Sequence, residues 1–159
     1  ESDWENIVYL RSDPQVNRFV NREPTTTKEK AMEFLARVNG NNDRAFAYYW
    51  AIADKTSGQM IGSICLWNLS DDRSRAELGY DLGTAQQGKG IMSEALATVL
   101  QFGFMELKFQ LIDAYTHRDN APSRRLLERN GFVLMPEKTD PDNAFNVIYE
   151  LTAGKQPQL

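Results

Sequence analysis

The stretch Asp81-Leu-Gly-Thr-Ala-Gln-Gln-Gly-Lys-Gly-Ile-Met-Ser-Glu94 is a glycine-rich turn between two segments of different periodicity. Before it, residues 75–82 alternate in polarity as a half-buried strand does. After it, apolar residues recur at helical spacing from Met92 onward. A strand that turns through glycines into a helix directs backbone N–H groups toward one point, where the helix dipole adds positive charge. The stretch therefore predicts an anion site made of main chain, to which Lys89 adds a charge.

Two phosphate-binding patterns are compatible with this turn. The spacing from Gly83 to Lys89 fits the P-loop, G-x-x-x-x-G-K-[ST], but residue 90 is glycine, so the hydroxyl that would hold Mg²⁺ is missing. Gln87 and Gly90 instead resemble the acyl-CoA loop of the GNAT N-acetyltransferases, [QR]-x-x-G-x-[GA], with Met92 in place of the last small residue. An ordinary tight turn that caps a core helix is the third interpretation.

A second segment, Asn120-Ala-Pro-Ser-Arg-Arg-Leu-Leu-Glu-Arg-Asn-Gly-Phe132, follows a strand-like run. By itself it predicts a well-capped helix, because Asn120 is a good N-cap, Pro122 is tolerated in a first turn and Gly131 suits a left-handed residue after the helix. It also resembles the second GNAT signature, with Asn120, Ser123, Gly131 and Phe132 in place. The two motifs in this order make nearly the whole chain resemble the GNAT family, and most of all its RimJ/RimL-type ribosomal-protein N-terminal acetyltransferases.

Composition sets limits on the function. The chain has 159 residues, of which 42% are apolar and 25% charged, as in one ordinary globular domain. A net charge of −4 argues against a nucleic-acid partner. With a single cysteine, Cys65, the chain cannot form an internal disulfide, and we expect this residue to be a buried thiol in a strand. One histidine and one cysteine provide few ligands for a metal site. Without a membrane-length apolar run or a signal peptide, a cytoplasmic monomer or homodimer with no membrane partner is expected.

The periodicities predict a mixed α+β domain over residues 1–151, followed by a loose tail, 152–159. Four helices are expected. The first covers residues 4–10, the second runs from a capping box at 26–29 to a stop at 39–42, the third covers 92–106 and the fourth covers 121–130. Strands are expected at 45–53, 59–67, 75–82, 110–116, 132–135 and 144–151. Hairpins in the middle and one strand–helix–strand unit imply a largely antiparallel mixed sheet flanked by helices. The first strand typical of the resembling family is apparently absent, which indicates either a fragment or a lost strand.

The resemblance implies where a cofactor binds. In GNAT enzymes, acyl-CoA lies in the gap between two splayed parallel strands, here 77–82 and 111–116. The loop would bind the pyrophosphate through N–H groups, the backbone at 80–82 would pair with the pantetheine arm, and Arg124 or its neighbour Arg125 would reach the 3′-phosphate unless it only forms a solvated helix face. The implied cofactor-binding residues are Tyr80, Leu82, Gln87, Gly88, Lys89, Gly90, Ile91, Met92, Ser93, Asn120 and Arg124.

The resemblance also implies the chemistry, which is direct attack of an amine on the acetyl-CoA thioester without a metal. Ser123 would protonate the departing thiolate, or be only a first-turn residue. Glu77 would accept the amine proton, or pair with an arginine. Asn120 would hold the pantetheine or the acceptor. His117 is a further candidate for catalysis or acceptor binding, because histidine is the side-chain type that most often changes charge near neutral pH. A lone histidine is, however, more often a surface or cap residue.

The acceptor is an amine, either a protein or peptide N-terminus by analogy or a small amine. Trp67, Trp50, Tyr48 and Tyr49 are candidates for the entrance, although strand alternation sends about half of them into the core. A non-catalytic acyl-CoA-binding or interaction module is the alternative from another functional class, and a P-loop nucleotide-binding protein is a further one.

Overall fold

A computed structural model describes residues 2–155 of the chain. Its helices and strands follow the order expected from the sequence. They are α1 (Trp4–Ser12), α2 (Lys28–Asp43), β1 (Tyr48–Ala53), β2 (Met60–Trp67), β3 (Arg75–Leu82), α3 (Ile91–Met105), β4 (Leu111–His117), α4 (Ala121–Arg129), β5 (Val133–Leu134) and β6 (Asn146–Thr152). A short 3-10 turn, Thr84–Gln86, precedes α3.

The strands form one six-stranded sheet in the order β1-β2-β3-β4-β6-β5. All neighbouring pairs are antiparallel except β3 and β4, which are parallel and connected through α3. The predicted mixed, largely antiparallel sheet flanked by helices is therefore confirmed.

The parallel pair separates partway along its length. The β3–β4 ladder runs from the pair Arg75 and Leu111 to the pair Leu78 and Ala114, and stops there. β3 nevertheless continues to Leu82 in register with β2, and β4 continues to its end in register with β6. The sheet thus opens into a gap beyond Leu78, and this gap is the predicted splay.

The two faces of the sheet are covered by different helices. On one face, Leu78 of β3 and Ile112 of β4 pack with Leu96 of α3 and Leu127 of α4, and each is 3% exposed or less. The other face carries a smaller cluster in which α1 and α2 pack against Met60 of β2. Because side chains alternate along a strand, residues of β3 or β4 that are two positions apart lie on the same face of the sheet, and adjacent residues lie on opposite faces.

Local boundaries differ from expectation at α2. The helix begins one residue later than predicted, because the hydroxyl of Thr27, not Thr26, accepts the N–H of Lys30. It also continues through the predicted stop to Asp43. The side chain of Asn42 at that end both donates to and accepts from the backbone of Tyr49, so a contact with β1 stabilises the last turn.

The strands also begin or end at slightly different residues. β1 starts at Tyr48 rather than at Ala45, because Ala45 has a φ of +53° and lies in a turn. β6 continues to Thr152, which pairs with Leu111, so the strand runs into the predicted tail. Residues 156–159 of that tail lie outside the described part of the chain.

Candidate active site

The glycine loop joins the end of β3 to the start of α3. Gly88 and Gly90 have φ values of +74° and +80°, and a Cβ at either position would meet no atom within 4 Å. The N–H groups of residues 88–93 have no partner among the described residues, since the first helical bond runs from Glu94 N–H to the carbonyl of Gly90. Six donors at a helix N-terminus are therefore without an acceptor among the described residues, which fits a pyrophosphate.

The side chains of the loop serve different purposes from its backbone. Gln87 is exposed, but its Nε2 donates to the carbonyl of Leu82 at 2.9 Å, which fixes the start of the loop against the end of β3. Met92 is 8% exposed and packs in the core below the loop, so it does not narrow the loop as a larger substitute for a small residue could. Lys89 is exposed and is the loop's one cation.

A cluster of three hydroxyls lies beside the gap. The hydroxyl of Tyr80 on β3 is 2.7 Å from Oγ of Ser123 on α4. Oγ1 of Thr116 on β4 donates to the same Ser123 oxygen at 2.8 Å. Burial raises the pKa of Tyr80 to about 12, so this phenol stays protonated at neutral pH. The structure thus brings the predicted Ser123 and Tyr80 together and adds Thr116, a residue that sequence reasoning missed.

The start of α4 is built by the predicted cap. Oδ1 of Asn120 accepts the N–H of Ser123 at 3.2 Å, and within residues 2–155 the amide nitrogen of Asn120 has no acceptor, so it can donate to a ligand. Arg124 is held in place, because its guanidinium donates to the hydroxyl of Tyr149 at 3.0 Å and to the carbonyl of Arg118 at 3.1 Å. Phosphate binding by Arg124 would use its remaining donors.

Glu77 lies on the opposite face of the sheet, next to the point where the β3–β4 ladder stops. Asn68 donates to its carboxylate at 3.2 Å. Burial, with repulsion from Asp113 and Asp140, raises the pKa of Glu77 to about 6, although the hydrogen bond from Asn68 opposes the rise. A carboxylate with such a pKa is mostly ionised at neutral pH and is still basic enough to accept a proton.

Two other carboxylates on this face are paired with cations. Arg75 forms a salt bridge with Asp113, and Lys138 pairs with Glu150 at 2.5 Å. Glu77 has only the neutral amide of Asn68 as its side-chain partner among the described residues. Its negative charge is therefore available to an ammonium group.

His117 is the last residue of β4 and lies between two aromatic rings. Its ring centroid is 5.3 Å from that of Phe19 and 5.6 Å from that of Phe145. Nδ1 accepts the N–H of Asp119 at 3.1 Å, so the lone pair that a base would use is occupied. This geometry favours a wall of the site over a proton acceptor.

The aromatic residues expected at the entrance divide between the two faces. Trp67 pairs with Glu77 across the β2–β3 ladder and is 40% exposed. Trp50 and Tyr48, in contrast, pack against Phe102 of α3, with centroids 5.6 and 6.2 Å from its ring, on the face away from Glu77. These two are therefore among the candidates that strand alternation sends toward the core, and β1 lies at the edge of the sheet, two strands away from the gap.

Tyr49 points to the same face as Glu77 but lies over β2. It stacks edge-on against Phe34 of α2, with centroids 6.4 Å apart, and its backbone pairs with Cys65. Burial raises the pKa of the Cys65 thiol to about 12, so the predicted inert thiol is consistent with its surroundings.

The connection between α1 and α2 reaches the end of β3, which no sequence pattern indicated. Arg22 donates to the carboxylate of Asp81 at 3.2 Å, and Ser63 donates to the other oxygen of the same carboxylate at 2.7 Å. Arg22 also donates to the carbonyl of Leu10. These bonds hold the connection close to the gap, where its Phe19 reaches His117.

Other features of the described residues lie outside this site. A groove of about 570 Å³ runs between β1, β2 and α3 and is lined by Trp50, Ile52, Ile61, Ile91 and Phe102. Of the predicted site residues only Ile91 lines it. Within residues 2–155, no group of three acidic, cysteine or histidine side chains is placed to hold a metal ion, and none of the helices there has the length and apolarity that a bilayer crossing requires.

Comparison with known proteins agrees with this geometry. The model of the acetyltransferase (GNAT) domain matches residues 1–133. The uncharacterized N-acetyltransferase p20 of Bacillus licheniformis is 34% identical over 131 residues, which are 82% of this chain and 73% of that protein. The ribosomal-protein-serine acetyltransferase of Escherichia coli K12 is 27% identical over 132 residues, covering 81% of this chain and 68% of that one.

Solved structures share the fold at low sequence identity. RimJ of Mycobacterium smegmatis, in complex with CoA-disulfide, superposes with a TM-score of 0.81 at 19% identity, over 99% of this chain and 80% of that one. RimL, a ribosomal L7/L12 alpha-N-protein acetyltransferase in complex with coenzyme A, also has a TM-score of 0.81 at 19% identity, over 95% of this chain and 89% of that one. Since the domain model spans most of the sequence and the relatives agree with it, the chain belongs to the GNAT acetyltransferase family and is an N-acyltransferase.

Proposed function

We propose that this enzyme transfers an acetyl group from acetyl-CoA to a primary amine, and that the amine is the N-terminus of a protein or peptide. The observation that carries the proposal is the position of six free N–H groups, those of residues 88–93, at the end of the strand that forms one side of the gap. A diphosphate on those donors would direct the rest of the cofactor toward the gap.

The edge of β3 beyond Leu78 is suited to the pantetheine arm. There β3 has lost its β4 neighbour, so backbone groups on that edge lack a strand partner. An extended arm with amide groups can pair with such an edge as an added strand does. Asn120, whose amide nitrogen is free, lies at the start of α4 across the gap and is proposed to donate to the arm or to the acceptor. A backbone N–H near Leu82 is proposed to stabilise the oxyanion.

The reaction then needs two protons to leave the α-ammonium group and one to reach the sulfur. Glu77 accepts the first proton, directly or through water, and the neutral amine attacks the thioester carbon. The C–S bond breaks, and Ser123 donates its proton to the sulfur. The nitrogen gives its second proton back to Ser123, and Glu77 returns its proton to water. The net result is an amide, a thiol and one proton released to water.

The acceptor proposal is supported by charge and by the relatives. A carboxylate without a cationic partner, beside the exposed Trp67, suits an ammonium group that arrives on this face. Two of the similar proteins carry names that describe acetylation of ribosomal proteins, one at an alpha-amine. A protein or peptide α-amine is therefore the substrate class to test first.

Thiol release from acetyl-CoA, measured against a peptide panel, tests the proposal. The panel varies the N-terminal residue of one basic peptide, and each member has a matched control with a blocked α-amine and an intact lysine. We expect thiol release and a mass-verified acetyl group only with the free α-amine. Release with blocked peptides would assign lysine as the acceptor, and binding of acetyl-CoA without turnover on any amine would contradict the proposal.

A further inference from the structure

The hydroxyl of Ser123 is contacted by two other hydroxyls from two different strands. Tyr80 on β3 lies 2.7 Å from its oxygen, and Thr116 on β4 lies 2.8 Å from the same oxygen. These strands are the two that separate at the gap, so the three oxygens link both sides of it to α4. The Thr116 side chain is buried, with 7% exposure, so surrounding atoms restrict the directions in which its hydroxyl can point.

The number of donors and acceptors on a hydroxyl limits how these bonds can be arranged. A serine hydroxyl has one hydrogen to donate and two lone pairs to accept. Thr116 donates to Ser123 and fills one lone pair. Among the described residues, Ser123 is the only hydrogen-bond partner of the Tyr80 hydroxyl. If Ser123 donated to Tyr80, the phenolic hydrogen would have no acceptor among the described residues, and a part-buried donor without an acceptor is unfavourable.

The arrangement with lowest cost therefore has both Tyr80 and Thr116 donating to Ser123. Both lone pairs of Ser123 are then occupied, and its own hydrogen cannot point toward either neighbour. That hydrogen then has no acceptor among the described residues and is available to a ligand.

We propose that Tyr80 and Thr116 are positioning residues that aim the proton of Ser123 at the thioester sulfur. This inference rests on the proposed function, in which Ser123 protonates the departing thiolate. Two donors on the Ser123 oxygen also stabilise the negative charge that develops there as the O–H bond breaks and the S–H bond forms, because hydrogen bonds to a charged oxygen are stronger than those to a neutral one.

A double-mutant cycle for kcat tests this coupling. Tyr80→Phe and Thr116→Val remove one hydroxyl each and preserve shape. In the wild-type background, we expect each to lower kcat by about 3–10-fold, the equivalent of one net hydrogen bond, with KM for acetyl-CoA nearly unchanged. In a Ser123→Ala background, the same changes should lower kcat by less than about twofold, because the proton they orient is gone.

Two controls separate orientation from general damage. Thr116→Ser keeps the hydroxyl and should restore most of the rate lost in Thr116→Val. Thr98→Val removes a hydroxyl from α3 that only bonds the carbonyl of Glu94, and it should leave kcat unchanged. CoA affinity and thermal unfolding of each variant verify the fold. If Tyr80→Phe does not fold, the test rests on three measurements: Thr116→Val in the wild-type background, Thr116→Val in the Ser123→Ala background, and Thr116→Ser.

Each outcome has a distinct meaning. If Tyr80→Phe and Thr116→Val lower kcat equally in the wild-type and Ser123→Ala backgrounds, or do not lower it at all, the positioning roles are overturned. The proposed acetyl transfer would still stand. A Ser123→Ala enzyme with full activity would overturn both the acid role of Ser123 and this inference. A wild-type enzyme without turnover on any amine would contradict the proposed function instead.

Discussion

The carboxylate of Glu77 and the hydroxyl of Ser123 lie on opposite faces of the sheet, on either side of the gap between β3 and β4. Glu77 alternates with Leu78, which packs under α3, whereas Ser123 sits on α4 above that same core face. A carbonyl carbon held in the gap could thus be approached from one face while its leaving group departs toward the other. In the proposed mechanism, this separation keeps Glu77 from taking the proton that Ser123 donates to the sulfur.

Gly90 is the position at which the phosphate site is most sensitive. We expect Gly90→Asp to weaken CoA binding at least about tenfold, because a side chain at φ +80° is strained and its carboxylate repels the diphosphate. Lys89→Ala should weaken binding less, since the backbone supplies most donors. Isothermal titration with CoA measures both.

Gly58→Asp is the matched control for that titration. Gly58 lies in the β1–β2 turn with a φ of +71° and equally open surroundings, so it carries the same strain away from the loop. Equal affinity losses in Gly90→Asp and Gly58→Asp would show that strain, and not a phosphate contact, is responsible.

The pH dependence of the rate should report the ionisation of Glu77. Since burial raises the pKa of Glu77 to about 6, the base is protonated below that pH and kcat/KM should rise as the pH passes through it. Glu77→Gln should lower the rate by about 10²-fold or more and abolish this acidic limb. The exposed Glu94→Gln on α3 should preserve both rate and profile. A Glu77→Gln enzyme that is slow but retains the wild-type limb would mean that Glu77 only shapes the site.

Glu77 should also affect stability, with a sign that depends on pH. Its folded-state pKa of about 6 exceeds the ordinary value of 4.5, so the protonated form favours folding, and that contribution is lost as the pH rises from 4.5 through about 6. Glu77→Gln should therefore increase the free energy of unfolding at about pH 8, by about 1 kcal/mol because solvent screens this half-buried carboxylate, with little gain at about pH 4. Urea titrations at the two pH values measure this, and an equal change at both would refute the linkage.

The Arg22–Asp81 pair should matter for the acceptor more than for the cofactor. Arg22→Leu removes the bonds that hold the α1–α2 connection at the end of β3 and leaves the half-buried Asp81 with only its Ser63 donors. We expect a loss of about 1–3 kcal/mol in unfolding free energy and a higher KM for the amine. Arg44→Leu, an exposed arginine after α2, is the control. An unchanged amine KM would separate this connection from the acceptor site.

Much of the fold follows from short-range signals. Residues 75–82 alternate strictly, the glycines after them permit only a turn, and Asn120 with Gly131 brackets α4, so these elements could be located from the sequence. The φ of +85° at Gly131 and the cap bond from Asn120 to Ser123 are the predicted ones. Gly88 and Gly90 likewise have positive φ values, as suits the predicted glycine-rich turn.

The remaining features depend on contacts between residues far apart in the chain. α2 continues through the predicted stop at Gly40 because Asn42 forms hydrogen bonds with Tyr49 of β1, a strand that follows α2 in the chain. A sequence pattern within α2 cannot indicate this contact. Thr116 reads as an ordinary strand residue, and only the closure of α4 over the gap brings its hydroxyl to Ser123. Which of the aromatic candidates lie near the gap could not be predicted, because alternation separates the two faces of a strand but does not give a residue's distance from the gap.

A crystal structure of the wild-type protein with CoA tests the central claim most directly. We expect the diphosphate to accept hydrogen bonds from N–H groups of residues 88–93, and the sulfur to lie in the gap between β3 and β4, within hydrogen-bond reach of Ser123 and on the side of the sheet opposite Glu77. CoA bound instead in the groove between β1 and α3, or with its sulfur outside the gap, would contradict the account.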